Sequence, residues 1–154
     1  MLSNWYRTQL NDAGTAIDIV RITVALIIVM HPLHGLYYYD DIALFGGYLG
    51  SLGYPLGVQL AWLIMFVQVG CSVALLLRRF VAFACIGHGI IVCFGLWHFH
   101  RPLGWFVVGP GTGGMEWGFV LLGCLVAVAW AYWPRMTVGA VRAPQVPSTN
   151  TKLG

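Results

Sequence analysis

Four long apolar runs constrain what this chain can fold into more than any other feature does. They cover residues 17–36, 57–77, 80–97 and 115–133. Each approaches the length of about 20 helical residues that crosses a hydrocarbon core roughly 30 Å thick. Lipid offers no hydrogen-bond partners, and a helix satisfies its own backbone within one segment. The sequence therefore predicts an all-α membrane protein built as a bundle of four transmembrane helices.

Composition agrees with a protein that lies in a lipid bilayer. Of the 154 residues, 59% are hydrophobic and only 8% are charged, whereas soluble domains carry about 25% charged residues. The net charge is +3, but the basic residues neither cluster nor alternate with aromatic ones. We therefore expect the lipid bilayer as a partner and no nucleic acid.

The lysine and arginine residues predict how the bundle is oriented. If the N-terminus is cytoplasmic, seven of the eight fall on the cytoplasmic side and only Arg101 falls on the other. The seven are Arg7, Arg21, Arg78, Arg79, Arg135, Arg142 and Lys152. Positive residues accumulate on the cytoplasmic side of membrane proteins, so both termini are expected to be cytoplasmic.

The four runs form one predicted transmembrane domain of residues 17–134, with a polar segment on either side. Residues 1–16 are predicted to be a cytoplasmic segment, not a signal peptide, since they lack a basic n-region and a clear cleavage site. Residues 135–154 lack a core-forming pattern and are expected to form a cytoplasmic tail, mobile or partner-bound. Residues 37–54 are too short and glycine-rich to span, which favours a short interfacial helix or loop.

The fourth run carries small residues at four-residue intervals, namely Gly123, Ala127 and Ala131. This spacing places them on one face of a helix, where the absence of bulky side chains lets a second helix approach closely. The stripe is therefore predicted to be a helix-packing surface. It also favours contact with other membrane protein subunits.

Most ionisable groups of the predicted membrane region fall at one membrane face. Four of the five histidines and the single glutamate lie at the outer ends of the runs, and these are His31, His34, His98, His100 and Glu116. Ionisable side chains are costly in a bilayer, so such a cluster is a default candidate for function. These five residues are the predicted cofactor-binding group.

The chemistry of this cluster leaves several cofactors open. Imidazole and carboxylate groups suit a transition metal, for which His31, His34 and His98 are the predicted ligands. Two histidines on different helices suit haem. A quinone hydrogen-bonded to one histidine and to Glu116 fits the same cluster. The competing interpretation is structural, because histidines at a membrane interface also bond to water, headgroups or a free carbonyl.

The remaining polar side chains are expected to be structural. Asp18 and Arg21 lie three residues apart in the first run and are predicted to pair at its inner end. Gln68 and His88 lie in the middle of their runs, where an interhelical hydrogen bond between them is expected. Arg101 is expected to clamp the outer loop through the carboxylate that begins the fourth run.

Several short motifs lie where one membrane family has them. They are Arg21 at the start of the first run, His34-Gly35 at its end, Gly53-Tyr54-Pro55 after the glycine-rich segment, the basic turn at 78–79, a histidine ending the third run and Gly114-Met115-Glu116 before the fourth. On these motifs, over about residues 21–134, the chain resembles the DoxX family of small four-helix bacterial membrane proteins. The resemblance implies a multi-pass protein of the bacterial inner membrane.

The resemblance also implies an association with redox and sulfur metabolism. The family includes a subunit of a membrane thiosulfate:quinone oxidoreductase and members linked to thiol-based oxidative-stress complexes. The implied function is an integral membrane subunit of, or associated with, a quinone-linked redox complex, and not an enzyme by itself. The alternative is a structural accessory subunit that stabilises a larger membrane complex without chemistry of its own. The family often has a glutamate in the second helix, where this chain has Gln68.

Overall fold

The computed structural model of the chain describes residues 12–134. Residues 1–11 and the predicted tail from residue 135 onward lie outside this range. Four of the basic residues behind the predicted orientation also lie outside it, namely Arg7, Arg135, Arg142 and Lys152. The cytoplasmic location of both termini therefore stays a prediction.

Within residues 12–134 the chain forms five α-helices and no strand. They are α1 (Ala13–Tyr37), α2 (Tyr39–Ser51), α3 (Gly57–Leu76), α4 (Val81–Gly95) and α5 (Glu116–Ala131). The end of α4 continues into a π-helical turn, Leu96–His100, and a short 3-10 turn, Arg101–Leu103. Three segments are long and apolar enough to cross a membrane, α1, α3 and α4 with its two turns, while α5 is apolar but shorter. The predicted all-α membrane fold is confirmed.

The four helices that correspond to the apolar runs pack as a ring. Helix α1 contacts α3 and α5, and α4 contacts the same two helices. Helix α2 lies outside this ring, against α3 and α1, and is the helix expected between the first two runs. The predicted four-helix bundle is thus confirmed, with α2 added to one side.

Successive helices of the bundle run in opposite directions, so polar residues that are distant in sequence gather at its two ends. We call one the arginine end, which holds Asp18, Arg21, Arg78 and Tyr132. The other is the histidine end, which holds α2 and the residues His31, His34, His98 and His100.

The apolar core lies nearer the arginine end and joins all four bundle helices. Its buried members are Val24, Ala25, Ile28, Leu75, Val81, Ala84, Cys85, Leu125 and Val128. A smaller cluster of Ile42, Leu49 and Ala61 joins α2 to α3. The bundle is therefore most tightly packed away from the histidine end.

Helix α2 is held against α3 by the close approach of two backbones. A Cβ added to Gly46 would lie 2.6 Å from the Cα of Val58, and one added to Gly57 would collide with the carbonyl oxygen of Gly46. The obstructing atoms are backbone atoms, so no side chain can move aside to make room. These contacts make α2 a fixed wall of the histidine end.

The predicted packing stripe on the fourth run does not pack within the described bundle. Gly123, Ala127 and Ala131 are all exposed on α5, and a Cβ added to Gly123 would meet no neighbouring atom. Close helix contacts instead occur at Gly87, which faces Cys71, and at Gly118, which faces Leu96. Contact of the stripe with another subunit stays a prediction.

Candidate functional site

A cavity of about 540 Å³ lies at the histidine end and is walled by all five helices and the loop that precedes α5. Its volume falls within the range of about 300–1,000 Å³ that is typical of small-molecule sites. Most lining side chains are apolar. Its ionisable and amide side chains are His31, His34, Asp41, Gln68 and His100.

Aromatic rings from several elements line this cavity. Phe45 on α2, Phe99 in the π-helical turn and Trp117 on α5 all contribute to the wall. The Phe99 ring lies 5.7 Å from that of Phe45 and 4.6 Å from that of Tyr48, measured between centroids. Such rings offer flat apolar faces to a planar ligand.

One polar group at the mouth of the cavity is a pair formed by His34 and Asp41. The Nε2 atom of His34 lies 3.3 Å from Oδ2 of Asp41, where α1 gives way to α2. This separation is an ion-pair contact between the imidazole and the carboxylate, and no hydrogen bond joins the two side chains. His31 lies one turn earlier on α1 and lines the same cavity.

His100 lines the opposite side of the cavity from a different segment. Its Nδ1 atom lies 2.6 Å from the carbonyl oxygen of Gly113. A carbonyl can only accept, so Nδ1 carries the proton, and Nε2 of a neutral imidazole keeps its lone pair. The hydrogen bond fixes this tautomer in the way that outer partners orient histidines in other sites.

The loop that carries Gly113 is folded back on itself. The N–H of Gly114 donates to the carbonyl of Phe106 at 3.0 Å, and that of Glu116 donates to Trp105 at 3.1 Å. A Cβ on Gly114 would lie 2.5 Å from the carbonyl of Trp105, so only glycine fits there. The loop is therefore a built part of the cavity wall.

Gln68 is the polar side chain nearest the floor of the cavity. It lies about 16 Å along α3 from Gly57 by helical rise and is only 7% exposed. Its Oε1 atom is buried and accepts no hydrogen bond from any residue of the described range 12–134. A buried acceptor without a donor costs about 1–3 kcal/mol.

The hydrogen bond expected between Gln68 and His88 is not formed, and this prediction is wrong. His88 is fully buried, and its Nε2 atom lies 3.2 Å from Oγ of Ser72. Ser72 is one turn beyond Gln68 on α3 and faces His88 across the contact with α4. His88 does not line the cavity, so it belongs to the helix interface.

The three residues predicted to bind a metal do not gather in the structure. The imidazole of His98 does not reach the cavity, because its Nε2 atom lies 2.9 Å from the hydroxyl of Tyr54 and its ring packs 4.5 Å from that of Phe94. It is thus separated from His31 and His34. Across the part of the chain that the structure describes, no three His, Cys, Asp or Glu side chains gather as metal ligands. The hydrogen bond at Nε2 of His98 argues against haem held by this residue.

The expected clamp between Arg101 and Glu116 is absent from the ion pairs found within residues 12–134. The guanidinium of Arg101 instead lies over the ring of Trp97, 4.2 Å from its centroid, in a cation–π contact. Glu116 begins α5 but does not line the cavity, so the expected quinone contact to this residue has no support in the geometry.

The polar groups at the arginine end satisfy one another. Arg21 Nε donates to Asp18 at 2.8 Å, as their spacing predicts, and the same guanidinium donates to the carbonyl of Leu75. Asp18 also accepts from the hydroxyl of Tyr132 and lies 3.5 Å from Arg78. These contacts tie α1 to the ends of α3 and α5, which is a structural role.

The lining residues that were not predicted from the sequence include Asp41, Phe45 and Phe99. Asp41 has the sequence context of an ordinary helix start, and only the fold brings it to His34. The sequence analysis gave Gln68 only a structural role, although its spacing indicates that it shares a helix face with other cavity residues. Ile64, Met65 and Gln68 are spaced as one helix face, and all three line the cavity.

The fold and its cavity together define a multi-pass α-helical membrane protein with room for a small molecule. A family model, that of DoxX, matches residues 16–101, which is more than half of the chain and runs from α1 into the turn after α4. Comparisons with curated proteins and with solved structures gave no significant match. The chain belongs to the DoxX family.

Proposed function

We propose that this DoxX-family protein is a quinone-binding subunit of, or associated with, a quinone-linked redox complex of the bacterial inner membrane. The observation that supports this most is the cavity at the histidine end, which combines aromatic walls with imidazoles on two sides. Under the predicted orientation, with both termini cytoplasmic, the cavity lies in the outer half of the bilayer.

The chemistry of a quinone matches the cavity residue by residue. Its ring has two flat apolar faces, for which Phe45, Phe99 and Trp117 supply partners. Its ring oxygens need hydrogen-bond donors, and the imidazoles of His34 and His100 can supply them from two sides of the cavity when they carry a proton on the nitrogen that faces the ligand. In this proposal the protein holds the quinone, while the remaining chemistry belongs to the complex.

A titration with a short-chain quinone tests this proposal. The purified protein in lipid nanodiscs is titrated with decylubiquinone, and we expect saturable binding at one molecule per chain. His34→Ala and His100→Ala should each weaken binding about tenfold, which is the loss of one hydrogen bond. His98→Gln is the matched control, because His98 lies at the same end but outside the cavity. Absence of saturable binding, or an equal loss in the control, would refute the proposal.

The second candidate is a structural accessory subunit, favoured by the exposed stripe of Gly123, Ala127 and Ala131 on α5. Its test is gentle affinity purification from native membranes with identification of every co-purifying chain. In this alternative a specific partner is recovered and Ala127→Leu removes it, while quinone binding is absent. Recovery of the chain alone contradicts it.

A further inference from the structure

Helix α5 is too short to cross a bilayer by itself. Its 16 residues span about 24 Å by helical rise. The 25 residues of α1 and the 20 of α3 span about 37 and about 30 Å, which reaches across a hydrocarbon core roughly 30 Å thick. Exposed Trp130 and Trp133 mark the arginine end of α5 as a membrane interface. The other end, at Glu116, therefore lies about 6 Å short of the opposite boundary of the core.

The loop of residues 103–114 lies where α5 stops. The whole stretch between Arg101 and Glu116 contains no charged side chain and no histidine. The ring of Trp105 lies 5.2 Å from that of Phe119, an exposed residue of α5, measured between centroids. The loop therefore continues the lipid-facing surface of α5. Its large exposed apolar side chains are Leu103, Trp105, Phe106 and Val108.

The base of this loop pairs its own backbone groups. The N–H of Gly113 donates to Val107 and that of Met115 to Gly104, which with the two bonds described above gives four hydrogen bonds between the two arms. Irregular backbone is tolerated at membrane depth where its polar groups find partners in the protein or where it lines a cavity. The base of the loop meets both conditions, since Val107, Gly113 and Gly114 line the cavity.

We propose that loop 103–114 is inserted among the acyl chains of the leaflet at the histidine end, where it completes the span that α5 leaves short. Its partner is lipid hydrocarbon, which fits the exposed apolar side chains and the absence of charge. The cavity wall that the loop forms then has hydrocarbon, and not water, on its outer side. A ligand that approaches the cavity from this side comes from the lipid phase. The position of the loop does not depend on which ligand the cavity holds.

Chemical labelling of single introduced cysteines tests this position. Val108→Cys, in nanodiscs that each hold one chain, is treated with a charged, membrane-impermeant maleimide. We expect labelling at least about tenfold slower than that of Asp40→Cys, because a charged reagent does not enter hydrocarbon. Asp40 is an exposed, charged residue at the same end and serves as the water control, while Val120→Cys on the exposed face of α5 is the lipid control. Wild-type protein corrects for the native thiols of Cys71, Cys85, Cys93 and Cys124.

Val108 is 76% exposed in the fold itself, so in a disc without other proteins only lipid can protect it. Labelling of Val108→Cys at the rate of Asp40→Cys would overturn the inference. Rapid labelling in discs combined with protection in native membranes would also overturn it, because a partner protein then covers the loop. Phe106→Cys, at a second exposed position of the loop, gives the same comparison if Val108→Cys does not fold.

Discussion

The arginine end and the histidine end both contain polar groups in an apolar bundle, but they use them differently. At the arginine end, Asp18 receives hydrogen bonds from Arg21 and Tyr132, and Arg21 also reaches the backbone of α3. At the histidine end, His34 and His100 each have one partner from the protein and face a cavity of about 540 Å³.

The difference indicates that the partners of a polar residue, and not its residue type, separate a structural role from the binding role that we propose. His88 and His98 are histidines like His34 and His100, yet one bonds to Ser72 and the other to Tyr54, and neither lines the cavity. The ends also differ in packing, since the main apolar core lies toward the arginine end. Changes at one end should therefore affect stability, and changes at the other should affect binding.

Arg21→Met should have the largest effect on stability. It removes the donor to Asp18 and to the Leu75 carbonyl, and it leaves a carboxylate without its main partner. We expect the free energy of unfolding to fall by about 2 to 3 kcal/mol, as for a partly buried ion pair that loses one member.

Thermal unfolding in detergent measures this loss, and Arg79→Met is the matched control. Arg79 is exposed at the same end and forms none of the ion pairs found in residues 12–134. The folded Arg21→Met protein should keep its quinone affinity. A loss of affinity without a loss of stability would remove the distinction between the two ends.

Gly46→Ala should disturb the histidine end because it displaces α2, which forms one wall of the cavity. The added methyl group would press on the backbone of Val58, so α2 must move away from α3. We expect a loss of about 2 kcal/mol in stability and weaker quinone binding, because Asp41 and Phe45 on α2 line the cavity.

The adjacent glycine supplies the control for this prediction. A Cβ on Gly47 would meet no neighbouring atom, so Gly47→Ala should be neutral or stabilising by up to about 1 kcal/mol through helix propensity. The pair is compared by thermal unfolding and by the same quinone titration. Equal behaviour of the two variants would contradict the fixed position of α2.

Substitution of Asp12 should give the smallest effect, which is a change in how the stability of the fold depends on pH. The Thr15 hydroxyl and the N–H groups of Thr15 and Gly14 donate to its carboxylate and hold the pKa of Asp12 below its ordinary value. Because the folded-state pKa is the lower one, the stabilisation is complete above the unfolded value of about 3.9. It is lost as the pH falls through the folded-state pKa.

Thermal unfolding between neutral and acidic pH detects this effect. Asp12→Asn keeps a good N-cap for α1 but cannot titrate, so its stability should depend slightly less on pH in the acidic range. An unchanged pH dependence would show that the cap of α1 contributes nothing through its charge.

The sequence predicted the bundle well because long apolar runs reflect the requirement to lie in lipid. This requirement can be recognised without knowledge of tertiary contacts. The run at residues 57–77 corresponds to α3, Gly57–Leu76, within one residue. The run at 17–36 began four residues late, because α1 starts where Asp12 caps it and not where the apolar residues begin. The π-helical turn Leu96–His100 has no hydropathy signal and was not predicted.

The candidate site was less predictable because it depends on which way each side chain points. The sequence placed His98 and His100 at the same end, but their spacing does not determine that Tyr54 holds one and Gly113 the other. It placed Gln68 at the right depth but gave it the wrong partner. Asp41 lies at the site only because the chain turns between α1 and α2, which brings its carboxylate close to His34.

The most direct test of the account is photoaffinity labelling in native membranes with an azido-quinone, followed by peptide mapping. The account predicts labelling of peptides that carry cavity walls, those with Phe99 and Trp117, and loss of this labelling when unlabelled quinone is added in excess. Labelling at the arginine end, or labelling spread over lipid-facing helices without competition, would contradict the assignment of binding to the histidine end.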